Sequence, residues 1–356
     1  MINFKPNGLA TGLGSLPHQE PDEAVKFVLS YFPEMPYWPQ LPTRSDAEGF
    51  LIQCIAPLIK TGLVVNQDGR YVLDTEQKDW VPKLTEFYEI CLAALDGDDV
   101  ALSFFNYPKE SASGFYAFLH HLEHNGVGEA QFLKGQISGP TTVGLALTDQ
   151  NRKPLYYHPQ GRDVLLKTLT IQALIQAKVL GQFGLPVVIF VDDPSLSAFG
   201  KSTYITIKKE ELLSELNNIY DVIKQAGALA GTHSCAAMDW SILFDSEVDI
   251  VSFDAYNFFL SMTSYVDGIQ SFINRGGVLA WGIVPTEIKN ANDFTAANLG
   301  NRLQENIEDI VSRGVDGKRL REQSMITPSC GTGTLPMESA IQIHKLTKEI
   351  SRSFWG

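Results

Sequence analysis

The feature that most constrains this chain is a repeated succession. A short run that is apolar on both faces alternates with a longer stretch whose apolar residues fall at helical spacing and which stops on glycine. DVLLKTLTIQALIQAKVLGQFG (163–184) stops at Gly184-Leu185-Pro186, KEELLSELNNIYDVIKQAG (209–227) on Gly227, and NLGNRLQENIEDIVSRG (298–314) on Gly314. Glycine closes a helix because, without a Cβ, it enters the left-handed conformation that caps the last carbonyls. An apolar strand after each such helix makes a βα unit.

Eight strand-like runs can be read: 8–15, 35–41, 130–138, 186–192, 228–234, 249–254, 277–283 and 324–329. Most are apolar throughout, as a parallel sheet covered by helices requires. They predict an α/β fold, a (β/α)8 TIM barrel forming a single domain over residues 1–356. Residues 43–128 are too long for one return and read as an insertion between strands two and three. It is expected to hold two helices and a hairpin, GLVVNQDGRYVLD (62–74), turning at Asp68-Gly69. The rival is an open doubly wound sheet, but GLGSLP (12–17) lacks the third glycine of a dinucleotide-binding turn.

Composition narrows the function classes. Apolar residues make up 44% of the 356, enough for a large core, and the net charge of −13 argues against nucleic acid or an anionic membrane as partner. The longest unbroken apolar runs, such as LPVVIFV (185–191), are too short to span a bilayer, and the N-terminus has no secretion pattern, so a cytoplasmic protein is expected. Four cysteines in so long a chain are no disulfide framework. Cys54 and Cys91 lie in apolar helical patterns and read as buried hydrophobes. Cys235 and Cys330 stand among Gly, Ser, Thr and Pro at the ends of apolar runs.

In such a barrel the site lies at the C-terminal ends of the strands. That rim would collect Ser15, Asp192, Asp193, His233, Cys235, Asp254 and Cys330. His233 and Cys235 in THSC, with Cys330 in TPSC, make a nitrogen-and-sulfur donor set suited to zinc, with a fourth position left for substrate. In VDDP, one carboxylate suits a helix cap. Asp192 could instead meet a ligand ammonium while Asp193 acts structurally. Asp254 at the end of VSFD reads equally as a cap, an acid or base, or a metal ligand. His120, His121 and His124 read as a solvated helix face, His158 as a loop residue and His344 as structural, while His18 is within reach of the mouth.

Six motifs in order, LGSLP (13–17), ISGPTTV (137–143), VDDP (191–194), THSC (232–235), VSFD (251–254) and TPSCG (327–331), resemble the catalytic C-terminal half of cobalamin-independent methionine synthase. That family lies within the wider superfamily that includes uroporphyrinogen decarboxylase. The resemblance implies a zinc ion on His233, Cys235 and Cys330, with Asp254 in place of the family's glutamate ligand. It implies homocysteine contacts at Leu13, Gly14 and Ser15 for the carboxylate and at Asp192 for the amine. The catalytic set is then His233, Cys235, Cys330 and Asp192, and the reaction is methyl transfer to a zinc-bound thiol, homocysteine giving methionine.

The chain departs from the family twice. It has no room for a second barrel. WGIVPTE (281–287) also has no histidine where the family's assists the folate leaving group; Glu287 stands nearest. A methylated corrinoid or corrinoid protein is therefore expected as donor in place of methyl-folate. The alternatives are a decarboxylase-like lyase, which would need several arginines where the N-terminal third has only Arg44 and Arg70, and a non-catalytic metal- or corrinoid-binding scaffold.

Overall fold

The computed structural model describes residues 4–287 and 294–354. Among the described residues ten strands are formed: β1 (Leu9–Ala10), β2 (Val64–Gln67), β3 (Arg70–Leu73), β4 (Leu133–Ser138), β5 (Thr148–Asp149), β6 (Val187–Asp192), β7 (Leu229–Ser234), β8 (Ile250–Phe253), β9 (Val278–Val284) and β10 (Ser324–Pro328). Seven of them make one curled sheet in the order β1-β10-β9-β8-β7-β6-β4. Every pairing in it is parallel. The α/β reading holds, with helices between successive strands.

Of the eight expected strands the second, 35–41, does not form as a regular strand. That stretch is extended and touches both edges of the sheet by isolated parallel bridges, Ser15 with Gln40 and Tyr37 with Lys134. Lys134 N donates to Pro36 O (3.0 Å), and Gln40 N donates to Gly14 O (3.0 Å). Pro36 and Pro39 lack the N–H groups that a two-sided ladder needs, so the segment joins its neighbours at single points. The first strand also shrinks, from the expected 8–15 to Leu9–Ala10. Gly14 turns the chain there with φ +73°, outside the strand region.

The insertion contains the expected hairpin. β2 and β3 pair antiparallel, and Asp68 and Gly69 both take positive φ (52° and 82°), as a two-residue turn matched to strand twist requires. It has four α-helices rather than two, Phe50–Lys60, Trp80–Leu95, Asp99–Phe104 and Ser113–Asn125. One hydrophobic cluster runs from the insertion (Leu63, Phe87, Phe105) to the outer face of the sheet and its helices (Ile171, Ile219, Ile310). A smaller one, with Leu13, Val188, Phe190, Ile250 and Met325, fills the inside of the curled sheet.

The helix Pro159–Gly181 is long and apolar enough to cross a membrane by length and composition, but two thirds of its apolar window (67%) is buried inside the fold. It is a core helix with a polar clamp. Gln176 Oε1 accepts from Trp38 Nε1 (2.8 Å) and Gln136 N (3.1 Å), while its Nε2 donates to Gln136 O (2.8 Å) and Tyr107 OH (3.0 Å). One amide thus ties the helix to β4, the insertion and the irregular segment 35–41. Replacing Gln176 by Leu leaves several buried groups unpaired, each costing about 1–3 kcal/mol. Urea unfolding of Gln176→Leu is expected to show a loss of about 3 kcal/mol or more.

Candidate metal centre

The register of the sheet builds the site. Ser138 pairs with Asp192, Asp192 with His233, and His233 with Ser252, so residues from four adjacent strands stand at one height. His233, Cys235 and Cys330 come together at that rim: one ligating atom from each lies within 4.8 Å of the others. Among the described residues this is the one cluster of histidine, cysteine or carboxylate side chains with metal-ligand spacing.

His233 is buried, and its Nδ1 lies 3.0 Å from Ser252 Oγ. Its Nε2 is buried with no hydrogen-bond partner. A buried imidazole nitrogen left bare costs stability, so this atom is held ready for a ligand. With Nδ1–H donated to Ser252, Nε2 carries the lone pair a metal requires. The two thiols neighbour each other. Their interaction holds Cys235 below the ordinary thiol range and, together with burial, pushes Cys330 well above it, a rise that His233 opposes. One imidazole nitrogen and two sulfurs fit zinc better than any hard oxygen-seeking cation.

Asp254 stands beside the trio without joining it. Its Oδ1 accepts from Asn257 N (2.8 Å) and its Oδ2 from Asn257 Nδ2 (2.8 Å). Burial raises its pKa against those bonds. The carboxylate expected as a fourth donor is occupied in closing the turn after β8, and the trio within 4.8 Å does not include it. The motif was legible in the sequence, but the capping asparagine three residues on was overlooked. Ser252, on the same face of β8, was overlooked as well.

Asp192 and Asp193 part as their neighbours dictate. Asp193 is fully buried across the start of the helix Pro140–Ala146, accepting from Thr142 N (2.8 Å), Thr142 Oγ1 (2.6 Å) and Thr141 N (3.0 Å). Burial nonetheless pushes its carboxyl up to about 6. Asp192 Oδ1 is buried without a partner. Burial raises its pKa, opposed by the charges of Lys134 and His233. Lys134 was not singled out from the sequence. It is fully buried, with Nζ 4.6 Å from the centre of the Phe190 ring and 5.3 Å from that of Tyr37, and burial lowers its pKa to about 8. The signal was the polar alternation Lys134, Gln136, Ser138 in an otherwise apolar strand.

The first turn is partly committed. Ser15 N donates to Leu13 O (2.9 Å), and Leu13 belongs to the interior apolar cluster. Ser15 Oγ accepts from Gly333 N (3.2 Å), which leaves its own proton to donate. A Cβ on Gly331, next to Cys330, would collide with Ser15 Oγ, so this turn and the cysteine loop are in contact.

The remaining histidines lie elsewhere. His18 packs on Phe27 (4.8 Å between ring centres), away from the trio. His344 is buried between Tyr37 OH (3.1 Å) and Ala340 O (2.8 Å), and burial takes its pKa down to about 4. His158 caps the helix Pro159–Gly181 by accepting from Gly161 N (3.0 Å). His120 and His124 stack on an exposed helix face, 4.1 Å apart. Cys54 and Cys91 are buried thiols raised by burial to about 11 and about 12.

No protein-family model matches the chain, and no curated protein matches its sequence. Solved structures resemble it at low identity. A B12-independent methionine synthase from Shewanella sp. W3-18-1, in complex with selenomethionine, is 16% identical, with 67% of each chain covered and a TM-score of 0.46. A GH113 beta-1,4-mannanase is 9% identical over 68% of this chain and 79% of the other, with a TM-score of 0.38. The GH20 catalytic modules of a pneumococcal exo-beta-D-N-acetylglucosaminidase are 8% identical over 99% and 87%, with a TM-score of 0.43. Likenesses this distant, to enzymes of different chemistry, carry no functional argument, and the reading rests on the side chains themselves.

Two outcomes follow. Metal analysis after zinc loading is expected to find about one zinc per chain in the wild type and in Asp254→Asn, and a loss of most of it in Cys330→Ser. For Asp193, the folded pKa of about 6 lies above the ordinary 3.8, so the fold takes up a proton that the unfolded chain releases. Its share of stability is greatest below the unfolded value and is lost as pH rises through the folded one. Urea midpoints are expected to fall from pH 4 to 6, and Asp193→Asn to flatten that slope while lowering stability at pH 7.

Proposed function

We propose that this chain is a zinc-dependent S-methyltransferase whose acceptor is a small amino-acid thiol of the homocysteine type. The observation that carries the reading is the cluster that brings a ring nitrogen of His233 and the sulfurs of Cys235 and Cys330 within 4.8 Å of one another, with His233 Nε2 buried and unpartnered. Zinc held by these residues would lower the pKa of a bound thiol and keep its sulfur nucleophilic at neutral pH.

The chain's own residues supply the rest. Ser252 fixes the ring of His233, so that Nε2 and not Nδ1 faces the mouth. Asp192, with an unpartnered buried oxygen, is the acceptor for a ligand ammonium. Ser15, its Oγ already accepting from Gly333 N, donates its proton to a ligand carboxylate. Asp254 holds the loop after β8 through Asn257.

A decarboxylase of polycarboxylates is less well served. Arg44 is paired with Glu48 (3.0 Å) and Arg70 lies on the hairpin of the insertion, so neither is free at the mouth. The donor proposed is a methylated corrinoid, free or protein-bound, because WGIVPTE offers no histidine and Glu287 is exposed. The test is methylation of homocysteine by the zinc-analysed protein with methylcobalamin or methyl-tetrahydrofolate as donor. Turnover with methylcobalamin and a loss of at least about a hundredfold in Cys330→Ser are expected. Bound zinc without turnover on any thiol would instead support a binding scaffold, and equal activity in Cys330→Ser would overturn the reading.

A further inference from the structure

The helix Trp80–Leu95 of the insertion carries two seams side by side. Trp80, Leu84, Phe87, Cys91 and Ala94, spaced by four and three in turn, are all buried in the main apolar cluster. One residue on, Val81, Thr85, Tyr88, Leu92 and Leu95 repeat the same spacing, apolar but for Thr85. A four-three repeat keeps one stripe of a helix turned toward a neighbour, and it is the pattern of a helix that packs on another helix. The first seam has its neighbour. The second faces outward: Val81 is 68%, Leu92 61% and Leu95 44% exposed, and Tyr88 is half-buried with its OH on Asp163 Oδ2 (2.5 Å).

The helix Asp99–Phe104 widens this surface. It packs on Trp80–Leu95 with no residue of its own buried, and its Val100 is 80% exposed. Four of the nine large apolar side chains exposed among the described residues thus fall within these two helices. Single exposed apolar residues are ordinary, whereas a group of them at helix-packing spacing marks an interface.

Charge says what the other side of that interface carries. Glu89 and Asp96, seven residues apart, flank the outer seam, and Glu86, Asp98 and Asp99 stand around it. All five are exposed, and among the described residues none of them forms an ion pair. Asp98 Oδ1 accepts from Ala101 N (2.9 Å), a cap that leaves its charge uncancelled. Three neighbouring cations are already engaged: Lys83 with Asp79 (3.0 Å), Lys167 with Asp163 (2.7 Å) and Lys60 with Phe104 O (2.9 Å). Lys78 stands at the opposite, N-terminal end of the seam. Five uncancelled negative charges around an apolar stripe repel a second copy of the same surface, and they repel anionic lipid headgroups. Two helices also present no free backbone edge to which an extended strand could add. A helix with an apolar seam bordered by Lys and Arg fits both the spacing and the sign of charge.

We propose that this outer face of the insertion is a docking surface for a basic amphipathic helix of a partner protein, whose apolar seam seats on Leu92, Leu95 and Val100 and whose Lys or Arg flank meets Glu89 and Asp96. Docking here requires neither metal nor thiol.

Fluorescence anisotropy on the full chain tests it with a labelled three-heptad peptide, leucine at the four-three positions and lysine elsewhere. The control is a peptide of the same composition with its leucines spread around the helix. The wild type is expected to bind the seam peptide at least about tenfold more tightly than the scrambled one. Leu92→Ser/Leu95→Ser should lose that advantage, while Ile205→Ser/Leu260→Ser, exposed elsewhere, should keep it. Glu89→Gln/Asp96→Asn should weaken binding about threefold or more and flatten its dependence on salt. Every substituted position is exposed, so the core is untouched. Equal binding of the two peptides, or an affinity unmoved by Leu92→Ser/Leu95→Ser, would overturn the docking surface, since net charge alone would then account for the attraction. A salt dependence unmoved by Glu89→Gln/Asp96→Asn would overturn the basic flank. Sedimentation of the chain alone is expected to be the same for the wild type and Leu92→Ser/Leu95→Ser. A dimer dissolved by that substitution would give the surface to a second copy and overturn the partner proposed.

Discussion

Parallel pairing of β6, β7 and β8 sets Asp192 beside His233 and His233 beside Ser252, and the site depends on that register. A one-residue slip would turn His233 to the outer face, because side chains alternate along a strand. The slip is resisted from below. Val188, Phe190, Leu229 and Ile250 fill the inside of the sheet on the same alternation that lifts Asp192 and His233 to the rim. The core and the site are thus two ends of one pattern: apolar residues pack the lower levels, and polar ones take the last level before the loops.

Charge is placed on that frame at a cost. Lys134 lies inside the sheet among aromatic rings, and Asp192 stands above it with an oxygen unpaired. Isolated buried charges are costly, and each of these lowers the cost of the other. The bare nitrogen of His233 and the thiol pair add to the same concentration of unsatisfied polar atoms. Structural cores avoid such groupings, while binding sites contain them.

The βα units, the hairpin with its Asp68-Gly69 turn and the trio His233, Cys235 and Cys330 were legible because each depends on local pattern or on the rule that strand ends converge. The second expected strand, 35–41, is apolar enough for a strand, but Pro36 and Pro39 lack the N–H groups a ladder needs. Asp254 read as a cap, an acid or base, or a metal ligand; its two bonds to Asn257 account for the cap, and sequence does not say which way the side chain in that loop turns. Of the insertion's four helices, Asp99–Phe104 has no buried residue and packs on the neighbouring helix Trp80–Leu95, so it leaves no apolar stripe to read. Lys134 stands out only in the closed fold, which brings the Phe190 ring to it.

The central claim is that His233, Cys235 and Cys330 hold a zinc ion with room for a thiol. X-ray absorption at the zinc edge tests it most directly. Zinc-loaded protein is expected to show two sulfur neighbours at about 2.3 Å with nitrogen or oxygen completing a four-coordinate shell, and a third sulfur when homocysteine is added. A shell without sulfur, or a sulfur count unmoved by the thiol, would contradict the account.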